Sequence, residues 1–208
     1  LVMVTADGAF ASGYDNDKRL LFESWGFTVT AIDDEAPQAT FDAAAAANDV
    51  MFISNSISGF AGVGSKADAL TVPVISEDTS TWQRLMYSSS NSTASDGSTT
   101  AVNIVDNSHD ITSPFSTGSL TIFSSITSAG FWATTLPAGA QVLAEQVGNP
   151  VRKWLIAFES GAELGGASNF AANRRVLIGT INSNFSFWTD DLRTLMQRSL
   201  NWASCGTA

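Results

Sequence analysis

The stretch Asp49–Asp78, DVMFISNSISGFAGVGSKADALTVPVISED, constrains the fold more than any other part of the chain. Two short, wholly apolar runs, Val50–Ile53 and Val72–Ile75, each stop at polar residues, Ser54-Asn55-Ser56 and Ser76-Glu77-Asp78. Between them, Gly59–Leu70 is long enough for a crossover helix. Short apolar strands joined through a helix predict a parallel sheet buried on both faces. In such sheets ligands sit outside the carboxyl ends of the strands. Both polar clusters fall there.

The rest of the chain reads as the same alternation. Leu1–Ala6 and Phe27–Ile32 are predicted strands, separated by a helix over Lys18–Trp25 with Asp15 or Asp17 as its cap and Gly26 as its left-handed stop. Phe41–Ala47 is an alanine-rich helix, and Thr79–Met86 a further short one. Ser88–Thr100, rich in Ser, Thr, Asn and Gly without apolar period, predicts a loop or flap. Ala101–Val105, Leu120–Phe123, Gln141–Gln146, Trp154–Phe158 and Arg175–Ile181 read as strands, with a Gly/Ala/Asn loop over Gly161–Asn173. Over Asp190–Ala203, Leu192, Leu195, Met196, Leu200 and Ala203 recur at helical spacing, behind Thr189 as cap. No repeat or linker divides the 208 residues, so 1–208 reads as one domain.

Composition narrows the partners. Lys and Arg number 10 against 20 Asp and Glu, a net charge of −10, which argues against nucleic acid or an anionic membrane surface. No apolar run approaches the ~18–20 residues that would insert in a bilayer. Only 14% of residues are charged while uncharged polar residues abound, the balance of a secreted or cell-surface protein. The chain opens directly on strand residues and reads as a mature protein or as a module of a longer chain.

Four segments then carry a resemblance. They are the opening through SWGFTVTAIDDE, the stretch from Asp49 to Asp78, the phrase NIVDNSHDITSPF, and the ending RRVLIGTINSNFSFWTDDLRTLMQRSLNWA. In this order they resemble the class I glutamine amidotransferase-like superfamily, specifically the ThuA-like domains of secreted multidomain bacterial proteins. The resemblance implies an α/β fold of flavodoxin-like type, a mostly parallel central sheet with helices on both faces in three layers. It does not bring an active site with it. Where amidotransferases place a Cys at a strand-to-helix elbow, this chain has Ser76-Glu77-Asp78, and Asn182 stands where related proteins place a histidine. Glutamine hydrolysis by that route is excluded.

The candidate residues each have a bland alternative. Glu77 at the elbow is the candidate general acid or base, or simply a helix cap with Asp78. Asn55 and Ser56, with Ser54 and Ser58, offer groups for sugar hydroxyls or satisfy turn backbone. Lys66 is a candidate anion anchor, or a solvated helix residue, or one half of an ion pair with Asp68 or Glu77. His109, the sole histidine, is the other catalytic candidate, but no Gly-x-Ser-x-Gly elbow accompanies it, and the resemblance places its phrase in a loop where a turn residue is the better reading. Asp15-Asn16-Asp17 begins like a calcium loop without the later Gly and Glu, and Asp33-Asp34-Glu35 is only a strand-end acid cluster, so no metal is assigned. Trp82, Trp132 and Trp188 are candidate stacking platforms for sugar rings, or covers over sheet edges. Cys205 lies near the end, and the resemblance gives it no role.

A ligand-binding edge is therefore expected to comprise Asp7, Asn55, Ser56, Lys66, Glu77 and Asn182. Its hydrogen-bonding groups, without a Gly-rich phosphate cradle, suit a sugar or polyol better than a nucleotide, with no cofactor expected. The leading expectation is a catalytically degenerate extracellular module, a pseudoenzyme working beside neighbouring domains of a larger protein. The alternative is a carbohydrate-active or small-molecule enzyme with Glu77 as acid/base and His109, Asn55 and Asn182 positioning the substrate.

Overall fold

The computed structural model describes every residue except 12, 59, 69, 86, 88–92, 133–134, 167 and 206–208, with backbone alone at 60, 61, 93–95 and 132. Among the described residues the elements run β1 (Val2–Thr5), α1 (Gly13–Ser24), β2 (Thr30–Asp33), α2 (Gln38–Ala47), β3 (Met51–Ile53), α3 (Phe60–Ala67) and β4 (Val74–Ser76). There follow β5 (Thr93–Thr99), β6 (Ala101–Ile104), β7 (Gly118–Thr121), β8 (Thr127–Trp132), β9 (Gln141–Gln146), β10 (Asn149–Phe158), β11 (Arg175–Ile178) and α4 (Asp190–Ser204). The molecule is mixed α/β, and its strands form one sheet in the order β2-β1-β3-β4-β11-β10-β9-β6-β7, with β8 paired to β10 and to β5.

That sheet has two halves. The five strands β2, β1, β3, β4 and β11 are parallel, and β1 lies inside the sheet as its early apolar run requires. The other six, β5 to β10, join through antiparallel pairings. A mostly parallel sheet is thus correct for one half and not for the other. The difference lies in the connections: among the described residues these neighbouring strands are joined without a crossover helix, most tightly in the β9–β10 hairpin at 147–148.

Alternation along each parallel strand sorts the core. Val2 and Val4, Met51 and Ile53, Val74 and Leu177 share one buried cluster with Phe41 of α2 and with Val63 and Ala67 of α3. Met3, Phe52, Ile75, Val176 and Ile178 share the other with Phe22 of α1 and with Leu192, Leu195, Met196 and Leu200 of α4. Successive side chains of an extended strand point to opposite faces, so each face of the parallel half has its own apolar cover. The helix ends follow local chemistry. Gly26 closes α1 at φ +95, and the Thr189 hydroxyl accepts from the Leu192 N–H at 3.2 Å to begin α4.

Three local expectations need correction. Thr79–Thr81 is a single 3-10 turn, capped when the Asp78 carboxylate accepts from the Ser80 N–H at 2.8 Å, and the helix expected over 79–86 does not continue it; Met86 lies outside the described residues. Within the expected loop Ser88–Thr100, residues 88–92 lie outside the described residues, but Thr93–Thr99 is strand β5. Its polar sequence has no period because its conformation comes from pairing with β8, itself absent from the sequence reading. β10 begins at Asn149, five residues before the expected Trp154.

β8 approaches the parallel half closely at Gly179, just past β11. The Gly130 N–H donates to the Gly179 carbonyl at 3.0 Å, and the Trp154 indole donates to the same carbonyl at 2.8 Å. A Cβ on Gly179 would stand 1.8 Å from the Gly130 carbonyl oxygen. Gly179→Ala is expected to destabilise the fold by at least ~1–3 kcal/mol, the usual cost of overpacking a tight contact. Urea unfolding measures it, and an unchanged midpoint would show that β8 does not press on β11.

Candidate functional site

Because β1, β2, β3, β4 and β11 run in parallel, the residues just after them meet on one edge. The Ser54 N–H donates to the Val4 carbonyl at 3.0 Å and the Glu77 N–H to the Ile53 carbonyl at 3.2 Å, carrying the pairing one step beyond the strands. Glu77 follows β4, Ser54 to Ser56 follow β3, and Thr180 and Asn182 follow β11.

Glu77 is wholly buried, and so is Lys18 of α1, which forms an ion pair with it. The remaining lone pairs of the carboxylate are also used. Oε1 accepts from the Asn55 N–H at 2.7 Å and lies 3.2 Å from the Ser54 hydroxyl, while Oε2 accepts from the Thr180 hydroxyl at 2.8 Å. Lys18 donates a second bond to Asn182 Oδ1, and the Asn182 N–H reaches Asn55 Oδ1 at 3.4 Å. Ser54 is also 2.5 Å from Asp15 Oδ1, and with one proton to give it bonds the closer carboxylate. Asp15 is 1% exposed. Where a ligand was expected, the edge holds the side chain of Lys18.

This closed network brings together Glu77, Asn55 and Asn182 of the expected residues. Ser56 is adjacent, its N–H donating to Ser54 Oγ at 3.2 Å, and it is half-buried. Asp7 is exposed and closes its own turn, accepting from the Ala9 N–H at 2.9 Å. Lys66 pairs with neither Asp68 nor Glu77: its ammonium donates to the Asp34 and Ala36 carbonyls, each at 2.7 Å, above the Phe41 ring. That cation is spent on tying α3 to the end of β2. Asp34, buried, accepts from the Ser58 N–H at 2.6 Å. Asp78, not Glu77, is the cap, and burial pushes its carboxyl up from the ordinary range against the pull of Ser80.

His109 lies elsewhere, in the turn after β6. Its Nδ1 accepts from the Ile111 N–H at 3.2 Å, and its ring meets Trp202 of α4 at 4.8 Å between centroids. Nδ1 as acceptor leaves the proton on Nε2. It is a turn residue packed on a helix, away from Glu77. Trp82 and Trp188 are buried, covering core rather than offering faces to solvent, and the Trp132 side chain lies outside the described residues. No group of three or more His, Cys, Asp or Glu among the described residues is arranged to hold a metal ion. No helix is long and apolar enough to cross a membrane among the described residues.

Sequence reading missed Lys18, Asp15 and Thr180. The signal was present for the first two: Asp15, Lys18, Phe22 and Trp25 fall on one helical stripe, so burying Phe22 takes Lys18 and Asp15 inward as well. A lysine on that stripe demands a buried acceptor. Compared with known proteins, the chain matches no protein-family model and no curated protein.

Two expected outcomes follow from this geometry. Glu77→Gln leaves Lys18 buried without its counter-charge and should destabilise by ~3–5 kcal/mol, as should Lys18→Met; the double variant Lys18→Met/Glu77→Leu should cost much less than their sum. Additive costs in denaturant unfolding would show the pair is not coupled. For His109, burial lowers the imidazole pKa below its ordinary 6.5, with neighbouring Glu159 and Asp110 opposing. The unfolded chain then takes up a proton first as pH falls, so stability should drop below about pH 6.5, levelling once the folded imidazole is protonated. Thermal melts of wild type and His109→Gln between pH 8 and 5 should differ in that fall. Parallel curves would remove the inference.

Proposed function

We propose that this chain is a non-catalytic accessory module of an extracellular protein, built on a flavodoxin-like three-layer α/β scaffold of ThuA-like kind. The order of the parallel strands, β2-β1-β3-β4-β11, supports the scaffold, since it is the 2-1-3-4-5 order of flavodoxin-like sheets. The covering of one face by α1 and α4 and of the other by α2 and α3 agrees with it.

The observation that carries the non-catalytic reading is the closure of Glu77. A general acid or base must come within hydrogen-bond reach of the proton it moves, directly or through one water. Glu77 has no exposed surface and gives its carboxylate to Lys18, Asn55 and Thr180. His109, with its Nδ1 on the Ile111 N–H and its ring on Trp202, bonds neither Glu77 nor Ser54 and completes no triad with them. Thus the reading of Glu77 as acid/base on a carbohydrate stands second.

The ligand we favour is a neutral sugar or polyol resting over the closed edge rather than within it. Half-buried Asn55 and Ser56 and exposed Asp7 supply polar groups there. Tyr14 in the first turn of α1 and Phe187 at the end of the 3-10 turn Asn182–Phe187 are exposed aromatics on the elements that cover this edge. Aromatic faces of this kind suit the C–H surface of a sugar ring. The acidic surface and uncharged polar composition fit an extracellular setting beside other domains.

Affinity electrophoresis through gels containing soluble neutral polysaccharides tests this. Retardation is expected, and Tyr14→Ala with Phe187→Ala should abolish it without changing the melting temperature. Assays on glycoside, ester and amide substrates should show no turnover. A turnover that falls ~10²–10⁴-fold in Glu77→Gln, the usual worth of a general acid or base, would overturn the proposal.

A further inference from the structure

A cleft of about 240 Å³ opens at the C-terminal end of α4, lined by Asp110, Arg174, Arg198, Asn201, Trp202 and Cys205. It is separate from the Glu77 edge and shares none of its residues. Two guanidinium groups meet there in a chain whose net charge is −10, and their bonding differs.

Arg174 is held in place and largely neutralised. Its Nε donates to the Glu159 carboxylate at 3.1 Å, its Nη1 to the Trp202 carbonyl at 2.7 Å, and its plane lies 4.6 Å above the Trp202 ring. A cation at this point also answers the unsatisfied carbonyls and negative dipole end of α4. His109 packs against the same indole, so Trp202 is 6% exposed and serves as a support for Arg174 rather than as a platform.

Arg198 keeps its charge. Nε donates to the Asp110 carbonyl at 2.7 Å and approaches that of Ile111 at 3.2 Å; Nη2 donates to the Asp110 carbonyl and to the Ser113 hydroxyl at 2.9 Å. All of these acceptors are neutral, and Arg198 forms no ion pair with a described carboxylate. Its Nη1, like Nη2 of Arg174, donates to no described residue. The Asn201 side chain is exposed and likewise bonds no described residue.

We propose that this cleft binds a small hydroxylated monocarboxylate, an aldonic or uronic acid, with Arg198 as its anchor. The spare guanidinium N–H groups suit a carboxylate, which arginine binds strongly through charge-assisted bonds. Asn201 and the Asp110 carboxylate can pair with hydroxyls. The volume falls below the ~300–1,000 Å³ of drug-sized pockets, so the occupant is a single small molecule. Asp110 and Glu159 beside the arginines, with the overall negative field, disfavour a dianion such as phosphate. The assignment rests on these side chains and not on the non-catalytic reading above.

The test follows the Trp202 indole N–H by heteronuclear NMR, assigned by its loss in Trp202→Phe, with D-glucuronate as probe. A saturable shift with millimolar Kd is expected. D-glucose, which lacks the carboxylate, should bind at least ~10-fold more weakly, and inorganic phosphate should not compete better than glucuronate. Arg198→Gln should weaken glucuronate at least ~10-fold, the loss of one charge-assisted bond. Asn201→Ala, at an exposed position without structural bonds, should weaken it a few-fold with the fold intact. Equal binding of glucose and glucuronate, tighter binding of phosphate, or no saturable shift would each overturn the assignment, whatever becomes of Arg198→Gln.

Discussion

The Lys18–Glu77 ion pair is the contact on which the closed edge depends. Its two charges lie in a dry site, where the cost of stripping them of water can match or exceed their attraction. The pair is therefore not what holds α1 to the sheet. Burial of Phe22 alone, against Phe52 at 5.1 Å, is worth ~1.5–3 kcal/mol and does that more simply. What the pair supplies is register. Lys18 can satisfy its ammonium only with Glu77 after β4 and Asn182 after β11, so α1 has one rotation and one height over the edge. Thr180 and Asn55 complete the carboxylate from the two flanking strands, and the segment after β11 is drawn into the same arrangement. A charge without its partner here would be costly, so the elements assemble together or not at all.

The same logic explains why the sheet changes character at β11. On its β4 side, strands arrive through helices and expose carboxyl ends together. On its β10 side they arrive antiparallel, and the edge ends. Gly179, with no side chain, lets the Gly130 backbone approach the point where the two halves meet. The indole of Trp154 bonds the carbonyl at that spot, so the junction is held by backbone polarity and one buried donor rather than by bulk.

What was legible in the sequence follows from which forces act locally. Val2–Thr5, Met51–Ile53, Val74–Ser76 and Arg175–Ile178 are buried on both sides, so their composition marks them, and the alignment of the last three ends places Asn55, Glu77 and Asn182 together. The α4 pattern and its Thr189 cap are equally local. β5 was illegible because TASDGST becomes a strand through β8, a partner that comes some thirty residues later. The occupant of the edge was missed for a related reason. Lys18 was read as the start of a helix, although its place on the Phe22 stripe made it a buried cation, and only tertiary structure names its acceptors. Arg198 and Arg174 sit 24 residues apart in sequence, a separation that carries no signal.

The distribution of charge links these features. The chain has ten basic side chains, and several are turned inward or already paired. Lys18 is buried with Glu77, and Arg175 is buried with its guanidinium on the Leu70 and Val72 carbonyls. Lys66 is bound to two carbonyls, while Arg19, Lys153 and Arg174 face Glu23, Glu145 and Glu159. The carboxylates that remain outside dominate the field, so a polyanion meets repulsion before it meets any contact. A single small carboxylate is different, because screening shortens that field to about 10 Å at 0.1 M salt while a guanidinium at contact distance acts unscreened. Arg198 can thus hold an anion that the surface as a whole would turn away. A strongly acidic protein selects small, singly charged or neutral ligands by this means, and the edge closed by Lys18 adds a second restriction: what binds there must do so without needing its charge.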